Sequence, residues 1–178
     1  MIAERTTPDQ NIAIMREAFN ALRGRDIEKC ISFMPSDFII NLAGAPQLRG
    51  HDAWRRNAKV FFTAFPDFQL EEQDMFAAGD RVAVRFRFTG THTGPFLGAA
   101  PTGRPVDYQS YEFYRIANGK IAEEWICSDM QTILTQIGIA PRGQMLSLWL
   151  AGYRVWFAAA AGLVVGAGLA LTLPSLFS

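Results

Sequence analysis

The sequence predicts an α+β domain in which three helices precede an antiparallel sheet. Two observations carry this prediction. In the first third of the chain, apolar residues repeat at intervals of three and four, which is typical of helices packed on a core. After residue 68, apolar and polar residues alternate, which is typical of strands with one buried face. Helices followed by a strand meander favour a curved sheet that wraps around the helices.

The first helix has a complete set of start and stop signals. Thr7 is an N-cap, Pro8 suits the first helical position, and Gln10 suits the third position of a capping box. Gly24 follows the last residue of the apolar repeat and ends the helix.

Two more helices and a short strand follow. Asp26 starts a short helix that Pro35 ends, and residues 38–40 form a strand. A third helix covers about residues 51–64 and carries Trp54 on one of its faces.

The rest of the domain is a strand meander. Alternation predicts strands at 68–76, 82–88, 106–116 and 121–129. Asn118 and Gly119, between the last two strands, form the strongest hairpin signal in the chain. A loop rich in glycine and proline covers residues 90–105, and a short helix covers residues 130–137.

The composition of the 178-residue chain indicates one folded domain with an additional segment. Hydrophobic residues make up 49% and charged residues 19%, which excludes a disordered chain. The 17 basic and 17 acidic residues balance, so we predict no nucleic-acid partner. Cys30 and Cys127 lack the spacing of metal ligands, and we predict two buried free thiols rather than a disulfide.

An apolar segment near the C-terminus predicts a membrane-spanning helix. Residues 155–173 carry no charge and would span roughly 28 Å as a helix, close to the thickness of a bilayer core. Trp149, Tyr153 and Trp156 would lie at the headgroups. Basic residues precede the segment and none follows it, which favours a single-pass membrane protein with its N-terminal domain in the cytoplasm. A buried or partner-packed helix is the alternative interpretation.

These patterns divide the chain into four segments. They are a domain at 1–140, a linker and interfacial segment at 141–154, the predicted transmembrane helix at 155–173 and a tail at 174–178. Every side chain with candidate chemistry lies in the first segment.

A set of short motifs occurs in a defined order within residues 8–140. The set consists of Gly50, Asp129 and the segments 65–67, 79–82, 90–98, 101–104, 114–116, 118–121, 123–125 and 136–138. Together they resemble the SnoaL-like polyketide cyclase and ester cyclase family, which has the nuclear transport factor 2-like cone fold. The resemblance implies helices packed on a curved antiparallel sheet, a hydrophobic small-molecule partner, no metal or organic cofactor, and a homodimer. Most of these motifs are typical of turns and strands, so they mainly determine the fold.

Cyclases of this family close a ring by an intramolecular aldol condensation on a polyketide ester. A base removes a proton flanked by carbonyls, the enolate attacks a carbonyl, and an acid protonates the resulting oxygen. The resemblance places the family's catalytic aspartate at Ile126 and its assisting histidine at Glu112. Isoleucine cannot transfer a proton, so another residue must replace the aspartate if the chain is an enzyme.

Glu112 and Glu124 are candidates for this replacement. Alternate residues of a strand share a face, so the two side chains would meet across a cavity. Two carboxylates in an apolar pocket raise one another's proton affinity, which would leave one able to act as a base near neutral pH. The alternative is that both lie on a solvated face or pair with Arg85 or Arg87.

Asp129 is the third predicted catalytic residue, either at the rim of the pocket or, alternatively, as the N-cap of the helix at 130–137. Tyr108 or Tyr114 would donate to an enolate oxygen, and His92 would contact substrate or support its loop. The predicted substrate-binding residues are Tyr108, Ser110, Tyr114, Ile126, His92 and Trp54.

The sequence leaves two main hypotheses of function. One is a cyclase or isomerase that acts by acid/base proton transfer on a hydrophobic carbonyl compound, a polyketide or an ester, while held at a membrane. The other is a non-catalytic small-molecule-binding or assembly module that has lost the catalytic aspartate. A hydrolase whose carboxylates hold a water is a third. Ligand binding without turnover would separate the second hypothesis from the others.

Overall fold

Among the residues that the computed structural model describes (6–140, 149–154, 156, 158–160 and 162–163), four helices and six strands form the unit Met1–Ile139. The helices are α1 (Pro8–Arg23), α2 (Ile27–Ser32), α3 (Gly50–Ala64) and α4 (Met130–Ile137). The strands are β1 (Ile39–Leu42), β2 (Leu48–Arg49), β3 (Gln69–Ala78), β4 (Arg81–Thr91), β5 (Pro105–Ala117) and β6 (Lys120–Ser128). The predicted α+β class is confirmed.

The predicted capping box at the start of α1 is confirmed. The Thr7 hydroxyl oxygen accepts from the Gln10 backbone N–H at 3.3 Å, and the Gln10 side-chain oxygen accepts from the Thr7 N–H at 2.8 Å. Gly24 caps the other end, where its N–H donates to the carbonyls of the last turn. The predicted helices that became α2, α3 and α4 also form, with bounds within a few residues of those expected.

The sheet is mixed, with strand order β2-β1-β6-β5-β4-β3. Strands β3 to β6 form the predicted antiparallel meander, but β1 runs parallel to β6, with Ile40 beside Glu124. The prediction of a wholly antiparallel sheet is therefore wrong at this edge. A parallel pair needs a long crossover, and the chain between β1 and β6 contains α3 and two hairpins, so it easily spans one.

The hairpin between β5 and β6 forms at the predicted turn. Asn118 and Gly119 have φ angles of 53° and 67°, and positive φ at both positions is what a type I′ turn requires. The alternation predicted for β4 is also confirmed, since its apolar residues are buried: Val82, Val84, Phe86 and Phe88, at 0–8% exposure.

Aromatic rings connect the buried face of the sheet to α1 and to neighbouring strands. Phe86 meets Phe19 of α1 edge-on, with ring centroids 4.6 Å apart. Phe88 stacks on Phe68 at 5.0 Å and on Tyr108 at 5.2 Å. Each such pair contributes about 0.5–1.5 kcal/mol beyond the area it buries. These rings give the interior of the domain an aromatic lining.

Both cysteines are free thiols, but only one is buried. Cys30 is 2% exposed on α2, and burial raises the pKa of its thiol to about 11. Cys127 is exposed, so the prediction that it is buried is wrong. The alternation of β6 turns it to the outer face of the sheet, opposite Tyr111, which is 51% exposed.

The second unit comprises Ala140–Ser178. Its described residues are Ala140 and positions 149–154, 156, 158–160 and 162–163, most of which are helical. Within the described residues, none of the helices combines the length and the apolar character needed to cross a membrane. Of the predicted transmembrane residues 155–173, positions 155, 157, 161 and 164–173 lie outside the described residues.

Candidate functional site

A cavity of about 430 Å³ lies inside the unit Met1–Ile139. The buried face of the sheet forms one wall, and all four helices contribute side chains to the others. Val60 and Leu97 are 49% and 66% exposed and mark its opening. Its lining is mainly apolar and includes the rings of Trp54, Phe19, Phe61, Phe86 and Phe88. The volume and the lining suit a hydrophobic small molecule.

Strands β5 and β6 bring a row of polar side chains to one face of the sheet. Three cross-strand pairs lie on this face: Ser110 with Ser128, Glu112 with Ile126, and Tyr114 with Glu124. Both glutamates, Tyr114, Ile126 and Ser128 line the cavity. The structure thus brings the glutamates together on the face that strand alternation predicts.

Glu112 is 6% exposed and each of its carboxyl oxygens accepts a hydrogen bond. Oε1 accepts from the Ser110 hydroxyl at 2.7 Å, and Oε2 accepts from the Tyr114 hydroxyl. The Ser110 oxygen also lies 3.0 Å from the hydroxyl oxygen of Ser128. Burial raises the pKa of Glu112, and the hydrogen bonds from Tyr114 and Ser110 oppose that rise.

Glu124 is 3% exposed, and its Oε1 has no hydrogen-bond partner among the described residues. Its ladder neighbours are Tyr114 on β5 and the fully buried Ile40 on β1. Burial raises the pKa of Glu124 well above its usual value, and the charge of Glu112 raises it further. An unpaired buried polar group costs about 1–3 kcal/mol, so its retention in a cavity points to function.

The two candidate tyrosines differ in the state of their hydroxyl groups. The Tyr114 hydroxyl is engaged by Glu112. No described residue hydrogen-bonds to the hydroxyl of Tyr108, which lines the cavity and is held by its stack on Phe88. Burial raises the pKa of both phenols, so they stay neutral donors. Tyr108 is therefore the tyrosine that is free to donate to a ligand.

The two arginines that could have paired with the glutamates are engaged elsewhere. Arg85 pairs with Asp74 at 2.5 Å, and Arg87 pairs with Asp107 at 2.6 Å, all on the outer face of the sheet. The alternative that Glu112 and Glu124 lie on the solvated face or pair with these arginines is therefore wrong.

His92 is placed outside the cavity lining, whereas Trp54 belongs to it. The His92 side chain is fully buried, its Nδ1 lies 3.0 Å from the Thr102 hydroxyl oxygen, and its ring is 5.6 Å from that of Phe65. This packing makes His92 a support of the glycine-rich loop, which places Phe96 against the cavity.

Asp129 is exposed and does not line the cavity. Its carboxylate accepts from the backbone N–H of Thr132 at 3.0 Å and from the Thr132 hydroxyl at 2.6 Å. These bonds satisfy the first turn of α4, so Asp129 is an N-cap and is not brought to the two glutamates.

Three polar lining residues are absent from the predicted site, and one of them, Ser128, lies on the same face of β6 as Glu124. Asn57 lies one helical turn after Trp54, so the spacing on α3 could have indicated it. Cys30 lines the cavity from α2. No sequence signal marks Cys30, because its position depends on how α2 packs against the sheet.

The arrangement is suited to proton transfer. Among the described residues, one buried carboxyl has two hydroxyl donors and the other has none, an arrangement that gives the two groups different proton affinities. A nearby phenol, Tyr108, can donate to a developing negative charge. The apolar walls lower the dielectric constant around these groups, which strengthens their electrostatic interactions.

A sequence profile described as SnoaL-like polyketide cyclase matches residues 13–137. A search of curated proteins returned no match. The matched residues include the glutamates, the tyrosines and Ile126, and end at the last residue of α4.

Three solved structures match the chain over nearly their whole length. AclR, a proposed hydroxylase from Streptomyces galilaeus, is 29% identical with a TM-score of 0.69, covering 76% of this chain and 100% of its own. A proposed SnoaL-like polyketide cyclase from Jannaschia sp. CCS1 is 25% identical with a TM-score of 0.71, covering 78% and 99%. IdmH, a proposed polyketide cyclase from Streptomyces antibioticus, is 30% identical with a TM-score of 0.64, covering 72% and 99%.

Proposed function

The chain belongs to the SnoaL-like polyketide cyclase family, and we propose that it is a cyclase or isomerase that moves protons on a hydrophobic carbonyl compound. A polyketide or an ester with an acidic C–H bond between carbonyls is the substrate class that suits the cavity. The substrate's own carbonyls delocalise the enolate charge, so the chemistry needs a positioned acid and base more than a cofactor.

The observation that carries this proposal is the carboxyl pair Glu112 and Glu124. Both are at most 6% exposed, both line the same apolar cavity, and burial together with the charge of Glu112 raises the pKa of Glu124. One carboxylate removes the C–H proton, the enolate attacks a carbonyl or is reprotonated at another carbon, and a carboxylic acid returns a proton to oxygen or carbon. The Tyr108 hydroxyl supports the enolate oxygen.

The test uses the full-length protein and a panel of aromatic polyketide esters, with ring closure followed by absorbance. We expect Glu112→Gln and Glu124→Gln each to lower turnover about 10²–10⁴-fold. Ligand binding, followed by fluorescence, should survive in both variants. Glu17→Gln removes an exposed carboxylate of α1 and serves as the matched control, with turnover unchanged. Full activity in both cavity variants would refute the proposal.

Ile126 supports a second candidate function. It occupies the position that the family resemblance assigns to the catalytic aspartate, and it lines the cavity opposite Glu112. A chain that kept the cavity but lost proton transfer would bind or carry a hydrophobic ligand. Saturable binding of panel compounds with no turnover under any condition would favour this carrier function over the enzyme.

We also propose that the C-terminal segment attaches the protein to a membrane. The support is the uncharged sequence of residues 155–173, whose length as a helix matches a bilayer core. Flotation of the full chain with phospholipid vesicles after an alkaline wash tests it. Val165→Arg combined with Leu169→Arg should release the protein from the vesicles, because a charge at the centre of a bilayer is costly. Equal flotation of both forms would contradict the attachment.

Homodimerisation through the open face of the sheet remains a prediction. Its support is the exposure of three aromatic side chains on that face, Phe76 at 65%, Tyr111 at 51% and Phe113 at 54%. Analytical ultracentrifugation of wild type and Phe113→Glu tests it, because a charge in an apolar interface should dissociate the dimer. A monomeric wild type would refute it.

A further inference from the structure

The two carboxyl groups of the cavity have unequal hydrogen-bonding environments. Glu112 receives one hydroxyl donor on each oxygen, from Ser110 and from Tyr114. Glu124 receives none from the described residues, and its Oε1 is buried without a partner. Hydrogen bonds donated to a carboxylate stabilise its charged form, whereas burial without donors stabilises the neutral acid. The pair is therefore built so that one group holds the charge and the other holds the proton.

Ser128 contributes to the direction of this network. A serine hydroxyl has one proton, and Ser110 uses that proton on Glu112 at 2.7 Å. The Ser110 oxygen then has only lone pairs for Ser128, whose hydroxyl oxygen lies 3.0 Å away. Ser128 must therefore be the donor, and it increases the ability of Ser110 to donate.

Among the described residues that line the cavity, none carries a positive charge that would stabilise either carboxylate. From α1, α3 and α4, no titratable side chain belongs to its described lining, and α2 contributes only Cys30. The strands contribute Tyr108, Tyr114 and the two glutamates. Both tyrosines and Cys30 are neutral because burial raises their pKa. Among the described lining residues, no positive charge would offset a second negative one. The cavity therefore favours one negative charge on the carboxyl pair, held mainly by one of the two groups.

We propose that Ser110 and Tyr114 hold Glu112 as the carboxylate that accepts the substrate's proton, while Glu124 is the neutral acid that returns one. This assignment rests on the proposed function and fixes the roles within it. The C–H bond breaks, its proton goes to Glu112 and its electron pair forms the enolate. After attack on the second carbonyl, Glu124 gives its proton to the new alkoxide. When product leaves, solvent carries the proton from Glu112 back to Glu124, and the charges balance.

Ser110, Ser128 and Tyr114 are positioning residues in this scheme, because they act on Glu112 rather than on the substrate. Their predicted effect is on where Glu112 titrates. A hydrogen bond to a charged group is worth enough to move its titration midpoint by about one pH unit. Loss of the Ser110 hydroxyl should therefore raise the midpoint of Glu112.

The experiment is a pH titration of the full-length protein carrying ¹³C-labelled glutamate carboxyls, read by NMR without substrate. Glu112→Gln and Glu124→Gln assign the two signals. We expect Glu112 to titrate at lower pH than Glu124, and Ser110→Ala to raise its midpoint by about one unit. Ser128→Ala provides a second variant and should raise the midpoint less. Glu17→Gln should move neither signal.

Each outcome decides the assignment. Glu124 titrating below Glu112, or a Glu112 midpoint unchanged in Ser110→Ala and Tyr114→Phe, would overturn it. The titration needs no turnover, so failure of the role assignment can be distinguished from failure of the proposed function. Turnover with the reversed order of titration would keep the function and refute the roles. The expected order without turnover would refute the function and the catalytic roles with it, and would leave only the order in which the two carboxyls ionise.

Discussion

Glu112 faces Ile126 directly across the antiparallel ladder of β5 and β6. The family resemblance assigns proton transfer to both positions, and only one of them carries an acid in this chain. The other carboxyl, Glu124, lies two residues before Ile126 on the same face, about 7 Å along the strand. We therefore predict that the proposed proton-transfer pair, and with it the reacting carbon of the substrate, lies nearer to the Asn118 hairpin than the family resemblance implies.

The unfolding free energy should fall as pH rises, because of Glu124. Its folded pKa lies well above the usual 4.5, so the folded state keeps a proton that the unfolded chain releases. The contribution is complete below the unfolded pKa and is lost as pH rises through the folded pKa. Over this range the unfolding free energy falls by up to about 1.4 kcal/mol per pH unit.

Urea denaturation between about pH 5 and 9 measures this effect. The fall of the unfolding free energy with pH should be smaller in Glu124→Gln, whose side chain cannot titrate. It should be unchanged in Glu17→Gln, whose wild-type carboxylate is exposed. An equally steep loss in Glu124→Gln would show that another group controls the pH dependence.

Tyr108→Phe should lower kcat without lowering stability. The ring stack on Phe88 is kept, and the removed hydroxyl has no described protein partner. Loss of one donor to a developing oxyanion costs about 10²–10³ in kcat in a well-formed site. Steady-state kinetics and thermal melts measure the two effects. Tyr111→Phe, on the exposed outer face, is the matched control and should change neither. An unchanged kcat in Tyr108→Phe would remove Tyr108 from the chemistry.

Asp129→Ala should lower stability by about 1 kcal/mol, because it removes the N-cap of α4. Turnover by the folded variant should stay at the wild-type level, since the carboxylate bonds to Thr132 and lies outside the cavity lining. Chemical denaturation and kinetics on the same preparation check both. A large loss of turnover at unchanged stability would return Asp129 to the list of catalytic candidates.

Gly94→Ala should destabilise the domain by about 3 kcal/mol or more. A Cβ at this position would overlap the backbone carbonyl of Thr63 at the end of α3. Relieving the overlap requires a shift of the backbone, which costs more free energy than a side-chain rotation. Gly24→Ala is the matched control, because its Cβ would meet ordinary contacts of 3.4 Å at negative φ. Thermal melts distinguish the variants, and equal melting temperatures would contradict the close packing of the loop on α3.

Local signals predicted most of the fold. The capping box at Thr7 and the turn at Asn118 involve residues close in sequence, so the chain itself specifies them. The direction of β1 was not predictable in this way. Its partner β6 is far away in the chain, and a four-residue strand has too few side chains to specify a direction.

The candidate site was likewise predictable only where its features depend on residues close in sequence. Strand alternation predicted that Glu112 and Glu124 share a face, because the period of two is a property of any strand. It could not predict that hydroxyl groups surround Glu112 alone, since that depends on side-chain rotamers and on the cross-strand partner of Ser110. The burial of His92 depends on the packing of a loop, for which the sequence has no periodic signal.

The parallel pairing of β1 with β6 has a consequence for the order of folding. The hairpins of β3 to β6 join neighbouring segments, so their loops close at low entropic cost, whereas β1 must find a partner most of the domain away. We expect the meander to form early and β1 to dock late. Ile40 becomes the ladder neighbour of Glu124 only when that docking occurs, so we expect the acid to reach its buried state and acquire its proton in the last kinetic phase. Late docking of β1 would be indicated by a refolding rate that depends on pH only in the slow phase.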